Sequence, residues 1–342
     1  MINNNNNLKQ HTEVLEKTLL GDRAVDFEFR EPFIVSGYRR PGFSFKQCIH
    51  SAFYAHNETI NVWSHILALV GFLYHCLPVF CLRSNPFTDP FVYPLLSFSL
   101  GISAMFLMSS SAHLFNCMSA KVRHICFFFD YAAISTYTFT AGLVFYYYSR
   151  PTNTDLKLMN SNCLFLCISA AISLATTYLC CASRHKWVQH KFLLRTGTFV
   201  ISWLFNTLPF TTRAIYCDSK LECNTVAFAY FKRQVFYFFL AALSNVIRIP
   251  ERFIPGLFDF FGQSHHFLHI LCSLGAIDDF VAVELDMNIR REILHASSTV
   301  LPTFGNSLGL MIAVLLGNIA IVIWFAVHCP VSLQIDKQLK TK

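Results

Sequence analysis

The sequence predicts an all-α fold: a polytopic membrane helical bundle with a seven-helix core and an eighth, C-terminal transmembrane helix. Three observations predict it. Of 342 residues, 54% are apolar and only 14% charged, against roughly 25% charged in soluble domains. Eight runs of about the 20 apolar residues needed to span a bilayer fall at 60–82, 90–115, 124–148, 160–182, 194–216, 231–249, 264–285 and 304–328. The polar stretches between them leave no room for a large soluble domain.

The elements follow in order. Residues 1–32 read as a cytosolic, disordered tail opening on the low-complexity run Asn3–Asn7. No apolar signal-peptide region precedes the first span. Residues 33–59 read as an amphipathic segment on the cytoplasmic face, because Phe45, Ile49 and Phe53 recur every four positions. Residues 60–285 form the core. Its fifth and sixth spans are the weakest, broken by Asn206 and by Lys232-Arg233. Residues 286–328 hold a connecting loop and the eighth span, whose Gly305, Gly309 and Gly317 favour close helix packing. Residues 329–342 form a cytosolic tail. The segment from Ile249 to Gly256, with two prolines and a glycine, is a turn-rich loop.

Charge gives the orientation. With eight spans, eighteen of the 27 Lys and Arg residues fall on the side of the termini and nine on the other. Positive residues concentrate in cytoplasmic loops, so both termini are expected there. That bias accounts for the net charge of +7 without a nucleic-acid partner. Most of the thirteen cysteines lie within spans and read as packing residues. Cys217 and Cys223 flank a short outer loop at a spacing that allows a disulfide. Asn57-Glu58-Thr59 matches the glycosylation pattern but is expected on the cytosolic side.

The candidate chemistry lies at one membrane depth. Ser109 and His113 share a face near the end of span 2. His265 and His269 share a face at the start of span 7, and Asp130 lies seven residues into span 3. Ionisable groups inside membrane helices cost about 2.5–3.5 kcal/mol each on insertion scales and are rarely there without a role. Three neutral imidazoles suit Zn²⁺ and leave a fourth position for water. The metal would bring that water's pKa down towards 7. Asp130 is a candidate base and Ser109 a candidate hydrogen-bond donor, both catalytic. Single histidines at a membrane interface otherwise read as snorkelling side chains. His266 points about 100° away from His265 and is expected outside the metal site.

At these residues the chain resembles the progestin and adipoQ receptor family, in its membrane progestin receptor branch. The resemblance runs from about Gly37 to Met287. It rests on His56-Asn57-Glu58-Thr59-Ile60-Asn61-Val62-Trp63-Ser64-His65, then Ser109-Ser110-Ser111-Ala112-His113, Arg123-His124-Ile125-Cys126 and Phe129-Asp130-Tyr131. Pro250-Glu251-Arg252, Pro255-Gly256 and Ser264-His265-His266-Phe267-Leu268-His269 complete it. The resemblance implies an internal zinc held by His113, His265 and His269, with Ser109 and Asp130 beside it. It implies a steroid receptor at the plasma membrane, taking a steroid or other lipid from the bilayer and signalling through inhibitory G proteins. A zinc-dependent, ceramidase-like hydrolysis of lipid amides is the alternative it carries. Two departures stand out: His266 replaces the family's usual Gln, and Asp278-Asp279 stand where relatives often have a histidine.

Overall fold

The computed structural model describes residues 19–82, 87–184, 191–217, 222–297 and 300–328. Eleven α-helices cover them: α1 Phe45–Ser51, α2 Thr59–Cys81, α3 Tyr93–Phe115, α4 Ala120–Val144, α5 Lys157–Asn160, α6 Asn162–Ala182, α7 Lys191–Asn206, α8 Leu208–Tyr216, α9 Thr225–Ile247, α10 Ser264–Ser297 and α11 Leu308–Val327. The chain is an all-α polytopic membrane protein. Five units, α2, α3 with its leading turn from Pro90, α6, α9 and α11, are long and apolar enough to cross a membrane by themselves. The remaining long helices carry polar side chains that the bundle buries.

α4 is the central post. It packs against α3, α6, α7 and α11, and every residue from Ser135 to Val144 is buried. The close packing depends on small residues. A Cβ on Gly142 would collide with the Asn206 side-chain oxygen of α7. The fifth span is interrupted at Asn206 as expected, but the side chain is buried and bonded. Its Oδ1 accepts from Ser169 Oγ at 2.6 Å, and its Nδ2 donates to the Ser202 carbonyl at 2.9 Å. The helix does break after it, at Thr207, and restarts as α8 with Pro209 in its first turn, where a missing N–H costs nothing.

The eighth helix is part of the bundle. α11 packs on α4 and α6, and its buried Asn318 bonds Thr177, Thr136 and Ser173. Gly317 lets it approach Leu174.

Three boundaries differ from the sequence reading. Residues 19–32 are packed, not a free tail: Val25 and Phe29 are buried with Ile34 and Tyr38, Leu20 bridges Tyr38, and Glu31 pairs with Arg123 at 2.7 Å. Residues 1–18, including Asn3–Asn7, and the tail from 329 lie outside the described residues. The amphipathic helix is only α1, started by a Ser44–Gln47 capping box; Phe45, Ile49 and Phe53 do stay exposed. Span 7 does not give way to a loop at Asp286. α10 runs on to Ser297, 34 residues in all, about 51 Å at 1.5 Å per residue. The added turns bury Asp286 and Arg290 in ion pairs with Arg213 and Glu222. Charge that looks like loop composition is here satisfied internally.

Cys217 and Cys223 form a disulfide. Lys232-Arg233 fails to interrupt α9, because Arg233 makes a bidentate pair with Asp278 of α10 at 2.5 Å. Asn57 is buried, and its carbonyl accepts from Gln263, so it offers no acceptor site for a glycan.

Candidate metal centre and cavity

α10 is started by Glu251, which accepts from the Ser264 backbone N–H at 2.8 Å and from its hydroxyl. An anchored carboxylate at a helix N-terminus satisfies otherwise orphaned donors. It also fixes the register of His265 and His269. The end of α3 is fixed as firmly. Arg39 donates to the carbonyls of His113 and Leu114 and to Asn116.

These two anchors bring His113, His265 and His269 together. One ring nitrogen of each lies within 4.8 Å of the others, and His113 Nε2 is 3.2 Å from His265 Nε2. Asp130 and Ser109 line the same cavity. The structure thus assembles all five residues singled out in the sequence. His266 is elsewhere: its Nδ1 accepts from the Gly262 N–H at 3.1 Å.

The sequence reading missed the layer behind the histidines. The Glu58 carboxylate is 2.7 Å from His113 Nδ1 and is held by Asn61 and Asn116 at 2.6 and 2.7 Å. Ser64 Oγ is 3.1 Å from His269 Nδ1, and His65 stacks on His269 at 4.0 Å. Glu58, Ser64 and His65 all belong to the first motif, whose spacing was visible but whose role was not. One carboxylate behind one imidazole fixes the tautomer that leaves Nε2 free to face inward.

The donor set fits a zinc ion. Three imidazoles converge, two buried and His265 half-buried, and one is backed by a carboxylate. One oxygen of the neighbouring Asp130 carboxylate, Oδ1, is buried and has no partner among the described residues. Buried polar atoms are rarely left so.

The three histidines line a cavity of about 670 Å³, within the usual range for small-molecule sites. Its walls come from α4, α7, α9 and α10 and include Phe199, Trp203, Val235 and Phe238. Phe236 and Phe239 of α9 line it and are exposed on the outside of the bundle. Arg184, Arg195 and Arg248 also line it.

A helical membrane bundle enclosing an apolar cavity lined by a histidine cluster is the class of protein defined here. Residues 53–279 match the model of the haemolysin-III-related family, and the chain belongs to that family. It is 34% identical over 320 residues to membrane progestin receptor gamma-A of Danio rerio, covering 87% of this chain and 90% of the relative. It is 34% identical to membrane progestin receptor delta of Homo sapiens over 316 residues, 90% of each. Membrane progestin receptor gamma of Homo sapiens is 28% identical over 301 residues, 87% of this chain and 90% of the relative.

Proposed function

We propose that this protein is a steroid receptor of the progestin type in the plasma membrane, with both termini in the cytoplasm and a zinc ion on His113, His265 and His269. The observation that carries the reading is the apolar cavity lined by the histidine cluster. The names of the relatives supply the ligand class, and the positive-inside bias supplies the orientation. A steroid enters from the bilayer between α7 and α9. It signals only if it binds two conformations unequally. The cluster joins α3 to α10, so a ligand pressing on it shifts the surface formed by α1 and the loop from Pro250 to Gly262. That surface is where an inhibitory G protein would dock.

A bound zinc would polarise a carbonyl or a water in the cavity. Glu58 keeps His113 oriented, Ser64 orients His269, and Asp130 is placed to accept a proton there. Those last groups favour a second reading, in which the same site hydrolyses lipid amides. Tritiated progesterone binding to purified protein, with metal content and ceramide turnover measured alongside, decides between them. Saturable progesterone binding in the Asp130→Asn protein, with no ceramide turnover in either form, supports the receptor. Ceramide turnover lost in Asp130→Asn, without progesterone binding, overturns it.

A further inference from the structure

Three arginines in the cavity are unexplained by an uncharged steroid. Arg184 follows α6, Arg195 lies in the first turns of α7, and Arg248 follows α9 in the left-handed conformation. All three line the cavity. Five arginines of the bundle pair with acids, Arg123 with Glu31, Arg213 with Asp286, Arg233 with Asp278, Arg290 with Glu222 and Arg291 with Asp89, and the buried Arg39 spends its donors on two carbonyls, Ser51 and Asn116. None of these three pairs with a carboxylate of any described residue.

Neutral partners hold them instead. Arg184 donates from Nε to His124 Nδ1 at 2.9 Å and from Nη1 to the Tyr131 hydroxyl at 2.8 Å. Arg195 donates from Nε to Ser183 at 2.9 Å, and its guanidinium lies 5.3 Å from the centre of the Tyr131 ring. Arg248 lies 4.3 Å from the centre of the Phe192 ring. No carboxylate of a described residue is in salt-bridge contact with these guanidiniums; Asp130 acts on Arg184 and Glu31 on Arg195 only at longer range. Of the acids that share the cavity, Glu31 is engaged by Arg123 and Glu58 by His113, and Asp130 stands beside the histidine cluster. A planar guanidinium fork matches a carboxylate, sulfate or phosphate. Trp203, which also lines the cavity, has a buried Nε1 donor without a partner among the described residues. It lies eight residues from Arg195 on α7, a rise of about 12 Å, and calls for an oxygen acceptor at that depth.

Resting on the receptor reading, we propose that the preferred ligand is a sulfated steroid. Its anionic head is held by Arg184, Arg195 and Arg248, and an oxygen at the other end of the ring system accepts from Trp203. The rigid apolar nucleus fills the wall of Phe199 and Phe238 between them. A plain fatty acid offers the head but no oxygen at the depth of Trp203. A free steroid offers the oxygen but leaves three cations unsatisfied.

The test uses purified full-length protein in nanodiscs with pregnenolone sulfate, pregnenolone and palmitate as probes. Pregnenolone sulfate should bind about tenfold or more tighter than pregnenolone, the scale of one charge-assisted hydrogen bond. Arg195→Gln and Arg248→Gln should each erase most of that difference, while Arg195→Lys retains part of it. Trp203→Phe should weaken both steroids alike. Unchanged thermal melting and zinc content in each variant show that the fold is intact. Equal affinity for the two steroids, insensitive to the arginines, overturns the sulfate and leaves the receptor reading standing. Palmitate binding that depends on the arginines, with no sulfated steroid bound, overturns the steroid class. Failure of all three probes overturns the receptor reading itself.

Discussion

The Glu58 carboxylate sits 2.7 Å from Nδ1 of His113, joining the N-terminus of α2 to the C-terminal turn of α3. Both side chains are buried. The pair sets which nitrogen of His113 carries the proton, and so which one faces His265 and His269. Glu58→Gln keeps the size and an acceptor but removes the charge. We predict a loss of zinc affinity of about 10–100-fold, the usual range for a partner behind a metal ligand. Competition with a calibrated chelator measures it. An affinity within twofold of the parent would show that Glu58 does not tune His113.

His265 and His269 should behave unlike His266. The double replacement His265→Ala/His269→Ala should abolish stoichiometric zinc and lower the melting temperature, since α10 loses its tie to α3. His266→Ala should leave zinc content intact, because that ring only caps the Gly262 N–H. Metal analysis of the purified variants reads both outcomes. Zinc lost on replacing His266 but kept in the double variant would place the metal on the other face of α10.

The ion pair of Arg213 and Asp286, fully buried at 2.6 Å, should respond asymmetrically. Asp286→Asn strands a buried guanidinium, at a cost of about 3–5 kcal/mol. Arg213→Met/Asp286→Leu removes both charges and should recover much of that loss. Thermal melts in one detergent compare the three proteins. A double variant no more stable than Asp286→Asn would refute the account.

His56 makes stability depend on pH. Burial first, and then the Arg39 guanidinium, push its pKa down from 6.5 to about 3, with Glu58 opposing. The fold therefore resists protonation while the unfolded chain accepts it. Stability is full above pH 6.5 and falls as the pH drops through that value towards 3. At pH 5 the loss from this residue is about 2 kcal/mol. The difference in melting temperature between the parent and His56→Asn, both stripped of metal, isolates it. Parallel pH profiles would exclude His56 as the source.

Much of the site was legible before the fold. An i, i+4 histidine pair shares a helix face whatever surrounds it, so the common face of His265 and His269 was legible. The matching depth of His113, Ser109 and Asp130 followed from where apolar runs start and stop. Glu58 was not legible in that way. It precedes α2 by one residue, and nothing local distinguishes it from an exposed helix-start acid. Only the docking of α2 on α3 puts it behind His113.

The sequence by itself determined the membrane class, most of the helices and the five residues of the cluster, because hydrophobic length and helical period are local properties. The tertiary structure alone decided which charges are satisfied and which are not. Asp286 and Arg290 looked like a loop after span 7, yet α10 carries them into buried pairs with Arg213 and Glu222. Arg184, Arg195 and Arg248 looked like ordinary cytoplasmic-side charge, yet they line the cavity with no salt bridge to an acid among the described residues. Pairing is a relation between distant segments in three dimensions, and composition along one chain does not contain it.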